Sequence, residues 1–569
     1  MAEVDEADFR VDEHLGASDP AAFTAALSEL SNRVASDPDR ALRASMAFSQ
    51  ALSTAVVTSV SRALGLETEA DAETKDEPPS RPDKRFTDPA WEENPYFFAQ
   101  REMYLAWSRF MRDLVDDVEL EAPNSEKAKF AVNRLVDAMA PTNFLWTNPA
   151  ALRRAIETQG QSVLQGLDNF MADQSERGGM PRQVDDSEFE VGKNLACTPG
   201  KVVFRNDLME LIQYAPQTET VFEVPLLISP PWINRYYIMD LAPGRSLMEW
   251  AVQHGHTTFA ISYRNPDESM RDVALDDYLI HGLGQAVNVV REITGSDQVN
   301  LAGLCVGGTL AVALMAYLAH NEESPVRSAT LLNTLVDFSE PGPLGAFIDA
   351  ESVDRLEERM AERGLMPGEE MANTFNALRP NDLVWNYVSA NWLMGESPPA
   401  FDILAWNADS TNIPAATHSA YLRKCYLENS LAKSELELAG RRLVLDRIQT
   451  DTYVVAAKED HITPWNSSYR TTGLLSGPVK FVLTSSGHIA GVVNPPSPKR
   501  HYWTNDDLPA RCPDDPDTWL ESAARHEGSW WGDWTEWIAE RAGEQRTPPA
   551  IGNDTYRALA DAPGTYIRS

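Results

Sequence analysis

The chain has 569 residues, too many for one small core, and its 43% hydrophobic content is that of an ordinary globular protein of two or three domains. Lys and Arg number 49 against 85 Asp and Glu, and the resulting charge of −36 argues against a nucleic-acid partner, which needs a basic face. The acidity reads as a well-solvated surface, with a salt-rich habitat as the lesser alternative.

The sequence opens without a basic segment followed by an apolar one, and no run of about 18 apolar residues occurs, so a soluble intracellular protein with no membrane span is expected. Cys197, Cys305, Cys425 and Cys512 show neither CxxC pairing nor zinc spacing; free thiols and no metal are expected.

Over residues 19–64 apolar side chains recur at spacings of three and four, predicting helices that start at Asp19-Pro20. Residues 67–86, "ETEADAETKDEPPSRPDKRF", are charged, carry prolines and are almost devoid of apolar side chains, which marks a linker over 67–85. Helical patterns resume at residues 97–115 and run with breaks to about residue 174. The reading is of N-terminal helices (1–66), the linker, a helical domain (86–190) and a larger C-terminal domain (191–569).

In that last domain β-branched and apolar runs at residues 221–232, 257–263, 298–304 and 328–338 alternate with helical stretches at 275–294 and 309–320. Such alternation predicts an α/β fold, a parallel sheet covered on both faces. Two further runs follow at residues 452–460 and 480–488. The segment between, about 339–450, is too long for a crossover and predicts an inserted cap over the C-terminal edge of the sheet.

Gly303-Leu304-Cys305-Val306-Gly307 has the G-x-nucleophile-x-G form of a strand–turn–helix elbow, with Cys in place of Ser. The glycines permit the strained turn and a close helix–strand approach, and the N–H of Val306 is aimed at a substrate carbonyl. An elbow of this kind needs an acid and then a histidine further along the chain. Asp460 ends one apolar run and His488 the next; His461 competes for the base but has no strand of its own. A cysteine nucleophile suits a thioester donor, because acylation remakes a thioester and keeps the acyl group activated for transfer to an alcohol. Hydrolysis by a cysteine enzyme of the same fold stays open.

With these motifs the chain resembles the polyhydroxyalkanoate synthases, in particular the class that works without a second type of subunit. The resemblance rests on "PPWINRYYIMDL" (230–241), "GLCVGGT" (303–309), "ILAWNADSTNIP" (403–414), "EDHITPW" (459–465) and "SGHIAGVVNPP" (486–496). "FTDPAWEENPYF" (86–97) and "PTNFLWTNPAALRR" (141–154) resemble the family's N-terminal signatures. Arg235 stands where lysine is expected and Leu304 where an aromatic is usual. The resemblance implies an α/β-hydrolase core with a cap, and a cytoplasmic homodimer on a polyester granule. It implies an (R)-3-hydroxyacyl-CoA substrate, the class suggesting three to five acyl carbons, with coenzyme A as part of that substrate and no resident cofactor or metal. Carried over, Cys305 is the covalent nucleophile, His488 its base, and Asp460 either orients His488 or activates the incoming 3-hydroxyl. Val306 and Ile233 supply the oxyanion N–H groups. Arg235, Arg264, Arg423 and Lys424 are candidate cations for the CoA phosphates. A thioesterase or polyester depolymerase with the same triad, and a non-catalytic granule protein, are the rival readings.

Overall fold

The computed structural model describes residues 20–64, 83–320, 324–505 and 515–568. The chain divides into two compact units, one of residues 1–185 and 373–399 and the other of residues 186–372 and 400–569. Most of the linker reading, and Cys512, lie outside the described residues; at its end Lys84–Phe86 forms a 3-10 turn capped by the Asp83 carboxylate.

The helical unit begins with α1 (Pro20–Ser36) and α2 (Pro38–Ala63). The break between these helices falls at Pro38, which cannot continue α1, and the Asp37 carboxylate accepts the Arg40 N–H at 3.0 Å to start α2 afresh. Two longer partners follow, α3 (Pro95–Asp116) and α4 (Ala122–Ala138), with α1 packed on α4 and α2 on α3. Ala26, Leu30, Tyr104, Val115, Ala128, Val132 and Val136 form the shared core.

Behind them, α5 (Pro149–Glu157) and α6 (Gln161–Glu176) hold residues 373–399, which the sequence reading placed wholly within the cap. The hold is polar and specific. Asn148 donates to Ser389 Oγ at 2.9 Å, Asn169 to the Asn391 carbonyl at 3.0 Å, and the Trp392 indole N–H to Asp173 at 2.8 Å. Gly166 lies so close to the Trp392 carbonyl that a Cβ there would collide with it. These bonds satisfy buried polar groups of both partners, which explains why the segment groups with the helices.

The second unit is built on one eleven-stranded sheet. Its strands are β1 (Gly200–Arg205), β2 (Met209–Tyr214), β3 (Leu226–Ser229), β4 (Thr258–Tyr263), β5 (Val299–Leu304), β6 (Val326–Leu332), β7 (Asp451–Ala457), β8 (Val479–Thr484), β9 (His501–Thr504), β10 (Ala524–Glu527) and β11 (Ala560–Asp561). The order across the sheet is β10-β9-β8-β7-β6-β5-β3-β4-β2-β1-β11. Strands β4, β3, β5, β6, β7 and β8 run parallel, as the sequence predicts, but β2 is antiparallel to β1 and β4, and β9 and β10 add an antiparallel edge. The sheet is therefore mixed.

The parallel strands are buried on both faces, Leu226, Leu227, Ile228, Leu301, Val454 and Val455 among them, so they read as continuous apolar runs and not as alternating ones. The helix Trp530–Ala539 covers one face with Trp530, Trp531 and Trp534, and the Trp534 indole N–H bonds Thr330 Oγ1 at 3.0 Å. Because β4 returns past β3 before β5, the order reverses between β3 and β5. An open α/β sheet binds its ligands at such a reversal, beyond the carboxyl ends of the strands. Among the described residues no helix is long and apolar enough to cross a membrane.

Candidate active site

Strand β5 ends at Leu304, and α7 (Val306–Leu318) starts after a single intervening residue. Cys305 makes the whole turn, at φ +52° and ψ −124°, a left-handed conformation that non-glycine residues hold only where the surroundings enforce it. Three contacts enforce it here. The Cys305 N–H bonds the Leu332 carbonyl at 2.9 Å, while the Cys305 carbonyl accepts the N–H groups of Gly308 at 2.9 Å and Thr309 at 3.1 Å.

The flanking glycines are steric requirements. A Cβ on Gly303 would lie 2.6 Å from the Gly308 Cα, and one on Gly307 would overlap the carbonyl oxygens of Ser229 and Pro230. The start of α7 is thus pressed against the loop after β3. As the first helical residue, Val306 has an N–H with no partner inside the helix. In the facing loop Pro230 and Pro231 have no N–H to offer, so donors begin at Trp232 and Ile233; Ile233 is half-buried there.

The candidate acid and base arrive from two adjacent strands. Asp460 follows β7 and His488 follows β8, whose pairing is parallel and in register to Ala457 and Thr484. His488 Nδ1 is 2.6 Å from Asp460 Oδ2. Both side chains are buried, and the Asp460 carboxylate has no exposure at all. Its Oδ1 accepts the N–H groups of Ile462 at 2.8 Å and Thr463 at 2.9 Å, and Oδ2 also accepts the Thr463 hydroxyl at 2.7 Å. Asn333, just past β6, donates its side-chain amide to the His488 carbonyl and fixes the backbone there.

Burial alone would keep the imidazole neutral, but the Asp460 charge and hydrogen bond outweigh it. Together with the influence of the nearby Cys305 they raise His488 to about 10. Burial likewise opposes the Asp460 charge, yet His488 and the two Thr463 bonds hold this carboxylate below its usual range. Cys305 thus lies within electrostatic reach of His488, and the carboxylate serves His488, not His461.

The cap supplies a wall of aromatic rings. Tyr421 packs edge-on to Trp232 at 5.8 Å and to Phe338 at 5.9 Å, and Tyr426 lies 5.4 Å from Tyr421 and 4.9 Å from Phe338. Burial first, then the neighbouring phenol and the Cys305 sulfur, push the Tyr421 hydroxyl well above its ordinary range; Tyr426 is pushed the same way, by burial first and Cys305 after it. Both stay protonated beside the sulfur, as donors on apolar rings.

The four candidate cations are engaged already. Arg235 is buried against Asp409 at 3.1 Å and the Tyr566 carbonyl at 3.2 Å, and Arg423 bonds Glu357 at 2.6 Å. Arg264 pairs with Asp267, and Lys424 lies 2.9 Å from Glu428. Sequence reasoning missed Thr463, Asn333 and the two tyrosines. Thr463 had one signal, an Asp three residues before it in a strand-end turn. Among the described residues no cluster of three or more His, Cys, Asp or Glu side chains is placed to hold a metal ion.

Residues 243–495 match the α/β-hydrolase fold, which is the class that the strand order and the elbow define. Residues 82–251 match the N-terminal region described as "Poly-beta-hydroxybutyrate polymerase (PhaC) N-terminus". The chain is 46% identical to the poly(3-hydroxyalkanoate) polymerase subunit PhaC of Cupriavidus necator, over 86% of this chain and 83% of that protein. It is 43% identical to the poly(3-hydroxyalkanoate) polymerase of Methylorubrum extorquens over 97% and 91%, and 42% identical to polymerase 1 of Ectopseudomonas oleovorans over 86% and 87%. The protein belongs to the poly(3-hydroxyalkanoate) polymerase family.

Proposed function

We propose that this protein is an acyltransferase that polymerises (R)-3-hydroxyacyl-CoA, 3-hydroxybutyryl-CoA foremost, into polyhydroxyalkanoate with release of CoA. The observation that carries the reading is a cysteine, not a serine, at the elbow of a buried Asp–His pair in a chain of this family. In the loading step the proton of Cys305 is held by His488 while the sulfur attacks the thioester carbonyl. The C–S bond to CoA breaks, and CoA leaves with the proton from His488. In the transfer step His488 takes the proton of a 3-hydroxyl, its oxygen attacks the acyl–Cys305 carbonyl, and the sulfur regains a proton. One ester forms for each thioester consumed.

The N–H groups of Val306 and, across the loop, Ile233 stabilise the oxyanion in both steps. Asp460 orients His488. Its two oxygens are occupied by Ile462, Thr463 and His488, which favours this role over direct contact with a 3-hydroxyl. The chemistry asks for no metal or resident cofactor. The same reading places the enzyme in the cytoplasm as a homodimer on the polyester granule.

The test is to supply purified protein with (R)-3-hydroxybutyryl-CoA and follow CoA release and insoluble product together. Matched appearance of both is expected. CoA release with only free 3-hydroxybutyrate would make the protein a thioesterase and end the polymerase reading.

A further inference from the structure

Around Asp460 one oxygen is shared in a way the elbow and the triad do not require. Oδ2 receives the His488 ring at 2.6 Å and also the Thr463 hydroxyl at 2.7 Å, and that hydroxyl is itself 3.2 Å from His488 Nδ1. Thr463, Asp460 and His488 form a closed triangle of side chains, and Thr463 is 4% exposed, so water does not compete for these bonds. The backbone N–H of Thr463 separately holds Oδ1. One residue therefore grips both oxygens, with its main chain fixing the carboxylate's position and its side chain touching the oxygen that faces the base.

We infer that the Thr463 hydroxyl is a positioning group that shares Asp460 Oδ2 with the His488 ring and limits how tightly that ring holds its proton. This rests on the reading of His488 as the base of Cys305. A hydrogen bond donated to a carboxylate draws negative charge toward the donor. With the hydroxyl in place, Oδ2 pulls less strongly on the imidazolium, and the proton stays mobile between His488 and the reacting atoms. Without it, Oδ1 remains anchored by two backbone N–H groups, so the carboxylate keeps its place while Oδ2 turns its full charge on the ring. The titratable groups that face the imidazole are Asp460 and Cys305; Tyr421 and Tyr426 face Cys305 in turn, and His488 is the charged group that faces Asp460.

Thr463→Val keeps the shape and the backbone N–H and removes the hydroxyl; Thr463→Ser keeps the hydroxyl. The full-length protein carrying 13C-labelled histidine is titrated by NMR, with the His488 signal assigned by its loss in His488→Gln. CoA release from (R)-3-hydroxybutyryl-CoA is measured alongside. The Val variant is expected to titrate about one pH unit above wild type, tenfold in proton affinity, which is the size of one hydrogen bond to a charged group. It should release CoA roughly tenfold more slowly, with the Ser variant within about threefold of wild type in both readouts. A Val variant that titrates with wild type overturns the inference, as does a Ser variant that behaves like Val. Should Val fail to fold, Thr463→Ala, which also removes the hydroxyl and keeps the backbone N–H, takes its place: a His488 titration raised by about one pH unit upholds the inference, and one that coincides with wild type overturns it. The titration needs no turnover, so a wild-type protein that makes no polymer would sink the proposed function and leave this inference to be decided by NMR.

Discussion

Asp460→Asn is the sharpest test of how the site works, because the structure dictates which way the new amide must face. The Asp460 oxygen that accepts the N–H groups of Ile462 and Thr463 can be replaced only by the amide oxygen, since an NH2 group cannot accept from them. The amide nitrogen is then forced to the Oδ2 position, 2.6 Å from His488 Nδ1. There it donates to Nδ1 and drives the ring proton to Nε2, the nitrogen left for Cys305. A base protonated on the reacting side cannot take the thiol proton or that of the incoming hydroxyl. The lost charge-assisted bond alone is worth about 1.5–3 kcal/mol. The wrong tautomer costs about 10⁴-fold in the serine-protease triad, and a thiol needs less help than a hydroxyl, so we expect a loss of about 10²- to 10³-fold, about 3–4 kcal/mol. Single-turnover CoA release reports loading, and steady-state polymer formation reports loading plus elongation. Both should fall by similar factors. Near-normal loading with little polymer would refute the orienting role and assign Asp460 to the 3-hydroxyl.

Cys305→Ala should abolish CoA release and polymer together. In a Cys512→Ser background iodoacetamide should label Cys305 and spare Cys425, whose thiol burial pushes up to about 12; mass spectrometry of the labelled peptides checks this. Gly307→Ala should inactivate the enzyme and cost about 3 kcal/mol or more in stability, read from thermal melts, because its methyl group would occupy the space of the Ser229 and Pro230 carbonyls. His488 holds its proton more tightly folded than unfolded. Its contribution to stability is therefore complete below the unfolded value near 6.5 and fades as pH rises toward about 10. The melting difference between wild type and His488→Gln should shrink over that window, and a difference that grows would reverse the sign argued here.

The parallel half of the sheet was legible in the sequence because strands buried on both faces must be apolar throughout. The antiparallel strands were less so, because polar side chains such as Glu210 and Gln213 share their buried positions with apolar ones. Glu210 in β2 is fully buried, yet it reads as a surface residue until Arg205, Thr565 and the backbone of Tyr566 are seen to satisfy it. Strands β9 and β10, with His501 half-buried and Arg525 and Glu527 exposed, likewise lack an apolar pattern. The elbow, acid and histidine stood out because each ends an apolar run, and the fold brings Asp460 and His488 to hydrogen-bonding distance. Thr463 had only the Asp three residues before it as a signal, and Tyr421 had none, because its role depends on contacts between the cap and loops distant in sequence.

The segment that the cap lends to the helical unit has a consequence for biosynthesis. Asn169 waits for Asn391, and Asp173 for Trp392, partners separated by 222 and 219 residues. A ribosome delivers the helices first, but their last buried polar groups find partners only after β1 through β6 and the first part of the cap have been made. The amino-terminal unit is thus the earlier to be synthesised and among the later to be completed. No single cut in the chain separates a finished helical unit from a finished catalytic one.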